Sequence, residues 1–194
     1  MSDWHLYLGI IAGLISFGAI IPYIIDVLNG VARPNLASFV LWALLLAISV
    51  LAQISAGTSW SVLFIIGDFV GTSSIVILCL YGYGYRKYGK TEWICTGLAL
   101  LAIISWQITS QPLLAIIFAI IADVMAALPT VIKTYNDPSS ETPTMWFLVA
   151  FAAILSIIST TVFNPVNLFF PIYLLIINGT IGSLSFFGKR MKLR

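Results

Sequence analysis

Seven apolar stretches, each about as long as a membrane-crossing helix, constrain the fold of this chain more than any other feature. They cover roughly residues 5–28, 35–56, 59–83, 92–108, 112–134, 143–161 and 166–187. A helix needs about 20 apolar residues to cross the ~30 Å hydrocarbon core of a bilayer. The connections are short, and only 8% of the residues are charged. The sequence therefore predicts an all-α integral membrane protein with seven transmembrane helices.

The basic residues are confined to alternate connections. All nine Lys and Arg residues fall in the first, third and fifth connections or in the C-terminal tail. Because basic connections mark the cytoplasmic face, we expect the N-terminus outside and the C-terminus in the cytoplasm. The net charge of +2 belongs to these connections and gives no reason to expect a nucleic-acid partner. The small size and minimal loops favour a bacterial inner membrane.

Two pairs of segments show that the sequence repeats itself. Residues 22–29 resemble residues 129–136, since each segment begins with a proline and ends with an asparagine. Residues 66–72 resemble residues 177–183, and both pairs are offset by nearly the same distance along the chain. The first three spans therefore correspond to the last three, with the fourth span between them.

This correspondence predicts the domain organisation. Residues 1–84 form the first three-helix repeat, residues 85–110 the linker helix, and residues 111–194 the second repeat with the basic tail. Three spans would invert the second copy, but the linker helix restores its orientation, so we expect parallel repeats. Transporters built in this way bind their substrate near the membrane midplane, between the repeats.

A proline lies near the cytoplasmic end of the first helix of each repeat, at Pro22 and Pro129. With three helices, a linker and three more helices, the chain resembles the PQ-loop superfamily. That group includes the SWEET and SemiSWEET sugar transporters, amino-acid exporters such as cystinosin, vitamin transporters and the KDEL receptors. The superfamily's Pro-Gln dipeptide is replaced by Pro22-Tyr23 and Pro129-Thr130. The resemblance implies transport by alternating access, without a cofactor.

The same prolines are candidate hinges. A proline within a helix lacks an N–H group and crowds the carbonyl four residues earlier, so the helix kinks or flexes there. The resemblance implies that Pro22 and Pro129 are hinges of the inner gate. The alternative is that they are simply tolerated, as prolines in membrane helices often are.

Two acidic residues, Asp68 and Asp123, lie deep within their predicted spans, and no Lys or Arg lies at a matching depth. A buried acid costs about 2.5–3.5 kcal/mol on insertion scales, so it needs a cavity, a partner or a proton. Three interpretations stay open: binding of a cationic group, proton coupling, and structural hydrogen bonding. Because intramembrane acids are functional-site candidates by default, we assign both to substrate binding and to proton coupling.

Asn178 is the candidate amide of the site. In the sugar transporters of the superfamily an Asn on the third helix of each repeat contacts the substrate, and the resemblance implies this role for Asn178. The first repeat has Gly67 at the matching position, with Asp68 beside it. The predicted pocket therefore pairs an amide with an acid. The alternative for Asn178 is a hydrogen bond between helices.

Four further residues are candidates for the wall of the substrate site. Ser16 is the repeat partner of Asp123, and Gln53 shares a polar face of the second span with Trp42. Trp146 occupies in the second repeat the place of Trp42 in the first. Both tryptophans have an alternative role as anchors at the membrane interface.

Glycines on the first and third spans have the spacing that permits close helix packing. Gly67 and Gly71 form a GxxxG step, and Gly9 and Gly13 form a similar step on the first span. Small residues at this spacing let two helix backbones approach closely.

The types of residue present favour a transporter over an enzyme. His5 is the only histidine and lies at a membrane boundary, and Cys79 and Cys95 are separated, so no metal or catalytic site is expected. We expect a transporter of a small polar metabolite: an amino acid, an amine, a vitamin or a sugar. A non-transporting receptor of the KDEL type is the alternative. The expected partners are the bilayer and a small-molecule substrate, and a homo-oligomer is compatible with this function.

Overall fold

In the computed structural model of the protein, most of the described residues are helical. The described residues are 4–30, 34, 36–57, 59–83, 111–136, 138, 141 and 143–192, with scattered positions between 90 and 108. Their helices are α1 (Trp4–Leu28), α2 (Leu36–Ser55), α3 (Val62–Leu78), α4 (Pro112–Asn136), α5 (Pro143–Ile158) and α6 (Pro165–Lys192). A π-helical turn, Cys79–Tyr83, extends α3. The predicted linker helix, within residues 85–110, lies mostly outside the described residues.

Four segments are long and apolar enough to cross a membrane. They are Trp4–Leu28, Val62–Tyr83, Pro112–Asn136 and Pro165–Gly188, while the apolar parts of α2 and α5 are shorter. Large apolar side chains such as Leu14 on α1 and Ile176 on α6 are exposed on the outer surface of the bundle. Exposed apolar side chains on long apolar helices are typical of a membrane protein.

The six helices pack as a closed ring. Going around it, α1 contacts α3, α3 contacts α2, α2 contacts α4, α4 contacts α6, α6 contacts α5, and α5 returns to α1. Two smaller contacts join helices that are not neighbours in the ring, namely α3 with α5 and α2 with α6. The ring therefore has two halves, α1–α3 and α4–α6, which meet at the α1–α5 and α2–α4 contacts.

The glycines of α1 and α3 lie at the contact between these two helices. A Cβ atom added at Gly67 would collide with the backbone of Gly13, and one added at Gly9 would lie 2.5 Å from the carbonyl oxygen of Trp60. Neither position leaves room for a side chain because the neighbouring atoms belong to the backbone. The glycines thus allow the two helices to pack at a distance that no other residue permits.

Polar contacts join the two halves at one end of the bundle. The backbone N–H of Thr161 donates to Ser59 Oγ at 2.7 Å, and Ser156 Oγ donates to the carbonyl of Ser61 at 3.0 Å. Asn167 Nδ2 donates to the carbonyl of Gly57 at 3.2 Å. We call this set, residues 57–61 with residues 156–167, the clasp. The N-terminal half of α1 lies at this end, because Gly9 contacts Trp60.

At the opposite end, each half anchors its own first connection. Ser185 Oγ on α6 donates to the carbonyls of Pro138 at 3.0 Å and Glu141 at 2.8 Å. On α3, Cys79 Sγ donates more weakly to the carbonyl of Pro34, at 3.8 Å. The last helix of each half thus holds the connection between the first two helices.

Candidate functional site

A cavity of about 80 Å³ lies inside the ring, and all six helices contribute to its wall. A cavity needs roughly 10–15 Å³ to hold one water molecule, so this one admits several waters or a very small molecule. Pockets for drug-sized ligands are about 300–1,000 Å³. A typical metabolite would therefore require the helices to separate.

Two carboxyl groups line this cavity, one from each half. Asp68 on α3 and Asp123 on α4 both line the cavity and are close enough to interact electrostatically. Asp123 is buried and lies beside Tyr173 of α6, while Asp68 lies beside Ser16 of α1. The two deep acids of the sequence therefore belong to one site.

Hydrogen-bonding groups from both halves accompany the acids on the cavity wall. Asn178 on α6 and Thr72 on α3 line it. Asn178 Nδ2 donates to the carbonyl of Leu174, one turn earlier, at 2.8 Å. This bond engages one amide N–H, and an Asn side chain also carries a second N–H and an acceptor oxygen. The bond lies within α6, so the interhelical hydrogen bond considered for this residue is not the one formed.

Aromatic rings form much of the remaining wall. Trp42 and Phe39 on α2 pack edge to face, with ring centroids 5.1 Å apart, and both line the cavity together with Trp146 and Phe170. Trp146 is buried, and its indole N–H donates to Glu141 Oε2 at 3.2 Å. Both tryptophans thus lie against the cavity, whereas an interface anchor would face the lipid headgroups.

Two of the predicted site residues do not line the cavity. Gln53 is fully buried on α2, two turns beyond the cavity-lining Leu46, and Ser16 is buried behind Asp68. Gln53 therefore belongs to the layer between the cavity and the clasp. Of the two predicted hinges, Pro22 lies within α1, which is helical on both sides of it. The side chain of Pro129 lies outside the described residues.

Buried polar groups extend from the cavity to the clasp. Gln53, Ser61 and Asn167 are each fully buried, and the last two also belong to the clasp. Gln53 lies two turns from the cavity-lining Leu46, Ser61 two turns from Asp68, and Asn167 one turn from Phe170. Both amide atoms of Gln53, Ser61 Oγ and Asn167 Oδ1 have no hydrogen-bond partner among the described residues. Each such group costs about 1–3 kcal/mol when it is shielded from water. We call these three residues the polar layer.

The sequence analysis missed several residues of the site. Phe39 lies three residues before Trp42, so helical periodicity would have placed it on the same face. Tyr173 neighbours Asp123 only because α6 packs against α4. No sequence signal could reveal that contact.

The described residues contain no group of three His, Cys, Asp or Glu side chains placed to hold a metal ion. The fold and the site define an all-helical protein with several apolar helices of membrane-spanning length and an acidic internal cavity. Comparison of the chain with models of known protein families, with curated proteins and with solved structures finds no match.

Proposed function

We propose that the chain is a membrane transporter that carries a small polar metabolite by alternating access. The observation that carries the proposal is the cavity between the two halves, which holds Asp68, Asp123 and Asn178 inside a ring of apolar helices. Polar groups buried at such depth are expected along substrate or ion pathways. In this proposal the protein acts without a cofactor, and its partners are the substrate and the bilayer.

The pattern of contacts in the ring supports a pair of parallel repeats of the PQ-loop, SWEET-like kind. Exchanging α1 with α4, α2 with α5 and α3 with α6 leaves every neighbour relation of the ring unchanged. The α2–α3 and α5–α6 loops meet in the clasp, at the same end of the bundle. Inverted repeats would place them at opposite ends. With the linker helix between the halves, the proposed protein has seven spans.

The clasp is the proposed outer gate. The basic connections predict that the N-terminus, and with it the clasp end, faces away from the cytoplasm. Hydrogen bonds between the halves keep that end closed. The polar layer then forms the outer half of the substrate path, and its unpaired groups gain water when the clasp opens. Pro22 and Pro129, near the other end of their helices, are the proposed hinges of the inner gate.

Cysteine accessibility tests this proposal without knowledge of the substrate. In a background where Cys79 and Cys95 are replaced by serine, Gln53→Cys is treated from outside with a membrane-impermeant thiol reagent. The pair Ser59→Cys and Thr161→Cys is added to lock the clasp, since the two native hydroxyl oxygens lie 3.4 Å apart. We expect labelling of residue 53 in the reduced protein and its loss when the pair is oxidised.

Phe163→Cys is the matched control, because residue 163 is exposed in the α5–α6 loop at the clasp end. It should label from outside in both the reduced and the oxidised protein, which also tests the orientation. Labelling of residue 53 that is unaffected by oxidation would contradict the role of the clasp as a gate. Labelling of residue 163 only from the cytoplasmic side would overturn the topology.

A further inference from the structure

We propose that the substrate is a small organic cation whose ammonium group is held between the carboxyl groups of Asp68 and Asp123 against the aromatic wall of the cavity. This inference rests on the proposed function and names the substrate class of the same site. It draws on three features of the cavity: its charge, its aromatic wall and the groups that surround the acids.

The charged residues described on the cavity wall are all acidic. Asp68 and Asp123 both line it, and none of the described lining residues is basic. A buried carboxylate without a compensating cation is strongly unfavourable, so such groups occur paired, hydrogen-bonded or neutralised. A ligand with a positive group placed between the two acids supplies the missing charge to both halves of the ring at once.

The hydroxyl of Ser16 lies beside Asp68. Ser16 is almost completely buried, yet its Oγ makes no hydrogen bond of regular geometry with any described residue. A hydroxyl in this position can donate to the carboxylate. Ser16 lies behind Asp68 and not on the cavity wall, so the side-chain acceptors that the wall offers an ammonium group include the two acids and not Ser16.

The aromatic wall favours an organic cation over a metal ion. The cavity is lined by Phe39, Trp42 and Trp146, which all lie near the end of the bundle where α2 and α5 begin. Indole and phenyl faces attract ammonium groups, and Trp is the strongest of these partners. A metal ion would need more oxygen or nitrogen ligands, and the described residues hold no group of three acidic, His or Cys side chains.

The remaining polar groups suit the rest of such a molecule. Asn178 and Thr72 lie on the cavity wall and can bond a hydroxyl or a second N–H group. The cavity of about 80 Å³ favours a small compound. Ethanolammonium combines one ammonium with one hydroxyl, and choline combines one hydroxyl with a bulkier quaternary ammonium that has no N–H group.

Matched pairs of charged and neutral probes test the inference. Binding of ethanolammonium and choline to the purified full-length protein in nanodiscs is measured by calorimetry. Their neutral counterparts of similar shape are ethylene glycol and 3,3-dimethylbutan-1-ol, and glucose serves as a neutral sugar. We expect at least one cation to bind at least tenfold more tightly than its neutral counterpart. Equal binding within each pair, binding of glucose alone, or no binding of either cation would overturn the inference.

Three variants locate the cation. Asp68→Asn and Asp123→Asn should each weaken binding of the cation at least tenfold and leave binding of the neutral counterpart unchanged. Asp26→Asn is the control, since Asp26 lies on α1 and does not line the cavity. Because an acid-to-amide change can also disturb folding, Asp68→Glu is measured beside Asp68→Asn and should recover part of the lost affinity. Unchanged cation affinity in both amide variants would place the cation elsewhere and overturn the inference.

These results are distinct from those of the accessibility experiment. If residue 53 changes its exposure but no ammonium ion binds, the transport proposal stands and the substrate class is wrong. If ethanolammonium binds through the two acids but residue 53 never becomes accessible, the binding site stands and the transport proposal is wrong.

Discussion

The two halves of the ring have the same order of contacts but are held together by different chemistry. In the first half, α1 and α3 meet through glycines, with the backbone of Gly13 directly against Gly67. In the second half, α4 contains no glycine, and buried alanines such as Ala119 and Ala122 lie along it. In this half a glycine lies instead at the contact between α5 and α6, where Gly182 of α6 packs on the ring of Phe147.

This difference shows that the arrangement of helices is preserved while the residues that maintain it change. Backbone-to-backbone contact cannot yield, whereas a contact with an aromatic side chain can, because the ring can turn. The first half should therefore be the less adaptable of the two. The same asymmetry appears in the cavity, where the third helix of the first half supplies Asp68 and that of the second half supplies Asn178.

Among the substitutions that test this comparison, Gly67→Ala should lower the stability of the protein most. The new methyl group collides with the backbone of Gly13, so α1 and α3 must separate along their length. Overpacking of this kind costs about 1–3 kcal/mol or more. Thermal unfolding of the purified variant should show a clear fall in midpoint. Gly179→Ala is the matched control on α6, where nothing lies within 4 Å of the new atom, and it should not destabilise. Equal losses in both variants would remove the distinction between the halves.

Gly182→Ala measures how far the second half can adapt. An added Cβ lies 3.0 Å from two ring atoms of Phe147, so the ring must shift by a few tenths of an ångström. We expect a loss of about 1 kcal/mol, below that of Gly67→Ala. Combining Gly182→Ala with Phe147→Leu should recover part of the loss if the ring is its cause. A loss as large as that of Gly67→Ala would show that both halves are equally rigid.

The smallest effects should come from the side chains that anchor the connections opposite the clasp. Ser185→Ala removes donation to the carbonyls of Pro138 and Glu141 and should cost about 1 kcal/mol. Cys79→Ala removes a 3.8 Å contact between a thiol and the carbonyl of Pro34, and because a thiol is a weak donor the loss of this hydrogen bond should cost less. Because both changes leave a methyl group in place of a small side chain, their unfolding midpoints can be compared directly. A larger loss for Cys79→Ala would reverse the comparison.

The positions of the described helices could be predicted almost completely from the sequence. The expected spans 5–28 and 112–134 correspond to α1 (Trp4–Leu28) and α4 (Pro112–Asn136). Apolar length sets the extent of such helices, and a proline fits the first helical position because its missing N–H would have no partner there. Prolines begin α4, α5 and α6.

The site could be predicted only in part. Hydropathy revealed Asp68 and Asp123 because a deep acid stands out in an apolar span, but it could not show that both reach one cavity. That depends on which helices are neighbours in the ring. Gln53 illustrates the same limit: its periodicity gives the correct face of α2, but its height relative to the cavity follows from how α2 is seated against α3 and α4.

The glycine contact between α1 and α3 also bears on the proposed hinge at Pro22. From Gly9 to Ile20, α1 lies against α3, since Gly71 packs on Ile20. Pro22 comes directly after this stretch, and α1 continues to Leu28. The piece beyond the proline is roughly 10 Å long at 1.5 Å per residue. If Pro22 acts as the proposed hinge, the end of α1 is a short lever: Asp26 lies about 6 Å along it, so a rotation of about 20° moves this residue by about 2 Å.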